Sequence, residues 1–206
     1  MRQRQIPRTL SAIVVAALIA APAFAGPPLV CFPYDIGTAR SLPWDSQGHA
    51  WKGMRTDYRV AQLTTDTVGL LTPTTPVLVR METLRRAALY ATTDPGAARA
   101  LLTALIDRAK AHGGDALAAF DAGYLAETYK QVAPFAPATA ALAQGIDGYS
   151  MVVRSAAARG HDPAIEFAAA LMLDGNGNAR AEHVRVARAG APADQLLARN
   201  ITQLGR

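Results

Sequence analysis

The chain is poor in the residues on which most protein chemistry depends. Its 206 residues include one cysteine, Cys31, and four histidines, His49, His112, His161 and His183. A lone cysteine makes no intramolecular disulfide, so packing must hold the fold. In an oxidising compartment such a thiol is buried, ligates something, or pairs between chains. No two histidines stand four apart, which excludes an H-E-x-x-H zinc helix, and no C-x-x-C or C-x-x-C-H is present to hold a structural metal or a covalent haem. G-x-S-x-G is missing, because Gly148-Tyr149-Ser150-Met151-Val152 lacks the second glycine, and no S-x-x-K serves a Ser–Lys mechanism. Beyond residue 25 the only adjacent basic pair is Arg85-Arg86. A nucleic-acid footprint needs clustered positive charge, so no nucleic-acid partner is expected.

The N-terminus carries the clearest signal. Arg2, Arg4 and Arg8 precede an apolar run from Leu10 to Ala21 broken only by Ser11, and Ala23-Phe24-Ala25 follows. A positive start, a short apolar core and an A-x-A exit are the three parts of a secretory signal. The run is shorter than the roughly 20 residues a bilayer-spanning helix needs. Residues 1–25 are therefore expected to be cleaved at Ala25-Gly26, leaving an exported chain, periplasmic or secreted, without a membrane span. Three of the 21 Lys and Arg and none of the 16 Asp and Glu fall in that segment, so the remainder carries 18 basic against 16 acidic residues. Bulk charge then says nothing about partners.

Residues 26–56 differ from the rest. They hold Pro27, Pro28, Pro33 and Pro43, both tryptophans (Trp44 and Trp51), and Phe32 and Tyr34. No period of 3.6 or 2 runs through them, so they read as an irregular arm with at most one helical turn around Ile36–Arg40. Their aromatics argue for packing onto the body of the protein rather than disorder. Residues 57–206 read as helices. Val77, Met81, Leu84, Ala88 and Ala91 form one apolar stripe, with Thr75-Pro76 as its expected start. Asp94-Pro95, Asp115 and Asp162-Pro163 mark further starts, and Gly113-Gly114, Pro134 and Pro137 mark stops. Residues 163–173 are apolar nearly all round, the pattern of a buried bundle centre. The expected fold is all-α: an antiparallel helical bundle or short α-solenoid preceded by the arm.

One internal echo exists. Arg86-Ala87-Ala88 before Asp94-Pro95 recurs as Arg154-Ser155-Ala156 before Asp162-Pro163, an offset of 68 residues or two periods of 34. This spacing resembles tetratricopeptide-type repeats, stacked helical hairpins of period 34. The resemblance covers about ten residues twice and departs from the family's Trp, Leu-Gly, Tyr and Ala-Phe-Ala consensus. It implies paired antiparallel helices and a role in binding other proteins.

Candidate site residues are few. Glu82 with Arg85 and Arg86, Glu127 with Lys130, and Glu182 with Arg185 have the spacing of surface ion pairs. Glu166 lies in the most apolar helix with no base at i+3 or i+4. Buried, it would be a proton donor for an enzyme acting on an envelope polymer; otherwise it is a first-turn glutamate favoured by the helix dipole. Cys31, Asp35 and His49 have acceptable metal-ligand chemistry, which leaves a small-molecule or metal carrier open. Asp174-x-Asn176-x-Asn178 begins like a calcium loop, but Ala179 and Arg185 stand where that loop needs glycine and glutamate. The reading drawn from this is a non-enzymatic interaction or scaffolding module with no cofactor, another envelope protein as partner, and Trp44, Trp51, Tyr34 and Phe32 as the binding residues.

Overall fold

The computed structural model describes residues 27–45, 51–111, 113–175 and 177–205. The expected export signal with its cleavage point, and also His49, His112 and Asn176, lie outside the described residues. Among the described residues the fold is all-α, with no strand. The helices are α1 (Pro28–Cys31), α2 (Leu63–Leu70), α3 (Val77–Ala91), α4 (Pro95–Ala111), α5 (Ala116–Gln131), α6 (Pro137–Leu142), α7 (Gly148–Ala158), α8 (Pro163–Met172), α9 (Asn178–Gly190) and α10 (Gln195–Asn200), the last running into a 3-10 turn at Ile201–Gly205. No helix among the described residues is long and apolar enough to cross a membrane.

Aspartates set half of the α-helix starts among the described residues. The first N–H groups of a helix lack intrahelical partners. Asp94 takes those of Gly96 and Ala97, Asp115 those of Leu117 and Ala118, Asp162 that of Ala164, and Asp194 those of Leu196 and Leu197. Each cap contributes about 1 kcal/mol. Thr75 does not cap α3; its hydroxyl donates to the Leu70 carbonyl instead. Two short helices differ from expectation. The helical turn of the arm is α1, where Pro28 begins it, whereas Ile36–Ala39 forms a single turn with Gly37 at φ +59°. Pro137, expected only to stop α5, also opens α6, since a proline suits a first helical position.

The centre of the molecule is shared. Helix α8 is buried from Ala164 to Leu171, as its composition implies, but α5 is buried along most of its length and α3 at every residue except Arg86. Helix α5 packs against α3, α4, α6, α7 and α8, and α9 lies on α8. The expectation that Glu82 and Arg85 form a surface pair is corrected here, because both side chains are fully buried. The apolar stripe of α3 faces the bundle. Its polar side is covered by the arm, whose Leu29, Tyr34, Ile36 and Leu42 join the same core.

Helices α5 and α7 cross at two glycines. A Cβ on Gly123 would lie 2.6 Å from the Gly148 carbonyl oxygen, and one on Gly148 would strike the Gly123 carbonyl oxygen. Only the absence of both side chains lets the two backbones touch. Gly123→Ala is expected to lower stability by about 1–3 kcal/mol through overpacking, despite alanine's better helix propensity. Gly114→Ala, which meets nothing within 4 Å, should change it by less than about 0.5 kcal/mol. Urea unfolding of the two variants checks the contrast.

Candidate functional site

Three clusters of polar side chains stand out in the helical core, and they differ in what their environment lets them do. The first fastens the arm. Glu82 accepts the Arg85 fork at 2.7 and 2.8 Å, Arg86 Nε at 2.7 Å, and the Tyr34 backbone N–H at 3.0 Å. The remaining guanidinium donors reach arm carbonyls: Arg85 Nη1 to Val30 at 3.1 Å and Arg86 Nη1 to Leu42 at 2.7 Å. Trp44 lies under both arginines, 4.9 Å from Arg85 and 5.8 Å from Arg86, and edge-on to Tyr90. Tyr34 completes the contact with a 2.8 Å bond between its hydroxyl and that of Tyr124. Burial pushes both phenols up, so they remain protonated.

The second cluster closes the joint between α2 and α3. Arg80 is fully buried, donates to Asp121 Oδ2 at 2.6 Å, and also donates to the carbonyls of Thr72 and Thr75. Arg108 donates to the Leu71 carbonyl at 2.8 Å and lies 3.9 Å from Asp121 Oδ2. Asp121 Oδ1 and Arg108 Nη1 have no hydrogen-bond partner within the protein. Burial of Asp121 pushes its carboxyl up to about 7, against the pull of Arg80 and Arg108. One short bond and a distant second cation do not replace the water that this carboxylate loses.

The third cluster surrounds Glu166, which the structure places in the seam between α8 and α9, 3% exposed. Two imidazoles address its two oxygens. His161 Nδ1 is 2.8 Å from Oε1, and His183 Nδ1 bonds Oε2. An ionised carboxylate only accepts, which sets Nδ1–H on both rings and leaves His183 Nε2 to accept the Tyr149 hydroxyl at 2.8 Å. Burial, with Glu166 and Asp147 nearby, pushes the Tyr149 phenol up and keeps it a donor. His161 stands in the left-handed region at φ +59°, directly after Gly160 at φ +68°. That conformation costs a residue with a Cβ about 1–2 kcal/mol, offset here by its bonds to Glu166 and, through its backbone N–H, to the Ala156 carbonyl. Its ring remains largely exposed. The result is a buried carboxylate joined through one imidazole to the surface and through the other to a tyrosine.

The remaining expected site residues disperse. Cys31 is half-buried in α1, its thiol pushed up by burial against the pull of Arg85. Asp35 is exposed beside Arg199, and its backbone N–H is held by Asn200 Oδ1. Among the described residues no group of three His, Cys, Asp or Glu side chains has the geometry of a metal site. Phe32 and Trp44 are half-buried and Tyr34 is buried. Trp51 is 42% exposed and stacks on Phe135, itself 45% exposed, at 5.8 Å and 23°. Lys52 stands over the indole at 5.4 Å. Sequence reasoning missed His161, His183 and Tyr149 around Glu166, and Asp121 between its two arginines. The partners within each of these clusters lie on different helices or joints, and spacing carries no trace of the contact.

Comparison with known protein families, with curated proteins and with solved structures finds no match.

Two outcomes are expected. Glu82→Ala leaves Arg85 buried without its counter-charge and should cost about 3–5 kcal/mol, read by urea unfolding, with the Trp44 emission shifting to the red as the arm lifts. For Asp121, the unfolded chain releases its proton near pH 4 while the folded chain holds it to about pH 7. The folded state binds more protons between these values, so stability falls as pH rises through that window and levels off above it. Melting temperatures from about pH 4 to about pH 8 should show this decline in the native protein. Asp121→Asn should melt close to the native protein at about pH 4, where the native carboxyl is also uncharged, and should lack the decline toward about pH 8.

Proposed function

We propose that this protein is an exported, non-enzymatic interaction module of the cell envelope, and that it meets a partner protein through the face carrying Trp51 and Phe135. The observation that carries the reading is the stacked pair itself. Trp51 and Phe135 are the large hydrophobic side chains left exposed among the described residues, and aromatic anchors dominate protein interfaces. Phe135 and Lys52 both pack against the indole. The signal-like N-terminus supports export, and the likeness of the two Asp-Pro joints to tetratricopeptide-type hairpins points the same way. Trp44, under Arg85 and Arg86, serves the arm's attachment in this reading.

A second reading is favoured by one observation: an exposed imidazole, His161, oriented by a buried carboxylate, Glu166. That is the arrangement of a general base, and it suits an enzyme acting on an envelope polymer. The seam position of Glu166 makes it the orienting group and His161 the one that would meet substrate. Turnover of purified envelope polymers abolished by both His161→Gln and Glu166→Gln would establish this reading in place of the first.

For the interaction reading, envelope extract is passed over the chain starting at Gly26 and over a Trp51→Ala/Phe135→Ala variant. A specific protein should be retained by the first and lost by the second, with stability changed by less than about 1 kcal/mol, as for exposed positions. Retention of the same proteins by both baits, or of none by well-folded native bait, removes the reading.

A further inference from the structure

Helix α9 places three arginines where sequence order hides them. Arg180, Arg185 and Arg188 line one open groove of about 560 Å³ together with Ala181, Val184 and Leu204. No acidic residue lines it. Three other surface cavities include Asp162 and Asp194, Asp66, or Asp57 and Asp66 in their walls, as the near-neutral charge of residues 26–206 would lead one to expect. With Arg185 offset by its ion pair to Glu182, Arg180 and Arg188 leave the groove net positive, on a helix that buries little beyond Ala187.

Its geometry narrows the ligand. Arg180 is fixed across the groove by a 2.9 Å bond from Nη2 to the Leu204 carbonyl, which leaves its other N–H groups for a ligand. Arg185 is braced by Glu182 at 2.6 and 2.8 Å. Among the described residues Arg188 has no ion-pair or hydrogen-bond partner. Guanidinium forks match phosphate oxygens in pairs. The arginines span eight residues of helix, about 12 Å, enough for one or two phosphates and too short to track a nucleic-acid backbone. The floor and wall are apolar, formed by Ala181, Val184 and Leu204, and suit the hydrocarbon next to a phosphate rather than a hydrated inorganic ion. We propose that this groove binds the phosphate headgroup of an anionic phospholipid and seats α9 against a membrane surface.

This site is independent of the Trp51–Phe135 face, so either can fail alone. The test is co-sedimentation of the whole protein with vesicles of phosphatidylcholine, with and without phosphatidylglycerol. Binding is expected only with phosphatidylglycerol and should weaken as ionic strength rises. Each arginine near an anionic surface contributes about fivefold in affinity, so Arg188→Gln should weaken binding about fivefold and Arg185→Gln/Arg188→Gln about 25-fold. Both positions are exposed, and unchanged melting temperatures separate lost binding from lost folding. Arg180 is left intact because it also ties down the last turn. Soluble glycerol phosphate distinguishes the sources: if it binds as tightly as the vesicles do, the groove takes free organic phosphates and the membrane assignment is overturned. Equal binding to both vesicle types, binding unaffected by the substitutions, or no binding to phosphatidylglycerol overturns it as well.

Discussion

The structure depends on a buried carboxylate that is fully satisfied. Burying an ionised group is costly unless every lone pair is answered. Glu82 answers that demand with three guanidinium bonds and one backbone N–H. Two of these partners, Arg85 and Arg86, still had donors to place, and only the arm carbonyls of Val30 and Leu42 take them. The polar face of α3 would otherwise lie at the surface of the bundle. Covered by the arm, it becomes interior, and the arm in turn acquires a fixed path although it has almost no regular structure of its own. Specificity and burial come from the same four side chains: Glu82, Arg85, Arg86 and Trp44.

Three carboxylates in one core then show how partner geometry decides a group's state. Glu82 meets a complete set of donors. Asp121 has one close arginine, a distant second and an unanswered oxygen, and desolvation prevails. Glu166 has an imidazole against each oxygen, one reaching the surface and the other a tyrosine.

Much of the fold was legible in the amino-acid order because helix signals are local. Asp94, Asp115 and Asp162 act within three residues, and the stripe from Val77 to Ala91 follows the helical period. The fate of Glu82 was not legible, since an i,i+3 and i,i+4 pair has the same spacing on a wet face and a dry one. What distinguishes the two is the arm, which lies about 50 residues earlier and has no periodicity to reveal where it docks. The sites were less legible still. Arg80 meets Asp121 across 41 residues and His183 meets Glu166 across 17, and only the packing of α3 on α5 and of α9 on α8 brings them together. The arginines of α9 form no run in the chain order, and only the winding of the helix brings them to one groove.

The arm is also tied to the far end of the chain. Asn200 clasps the backbone of Asp35 through both its amide oxygen and its amide nitrogen, and Gln203 donates to the Pro33 carbonyl, contacts that bridge 165 and 170 residues. Ribosomes deliver the arm first and these two partners last. Until the final turn has formed, the arm lacks these contacts, and long-range closure of this kind is slow. A change at Asn200 or Gln203 would therefore be felt at the arm, more than 160 residues earlier in the sequence.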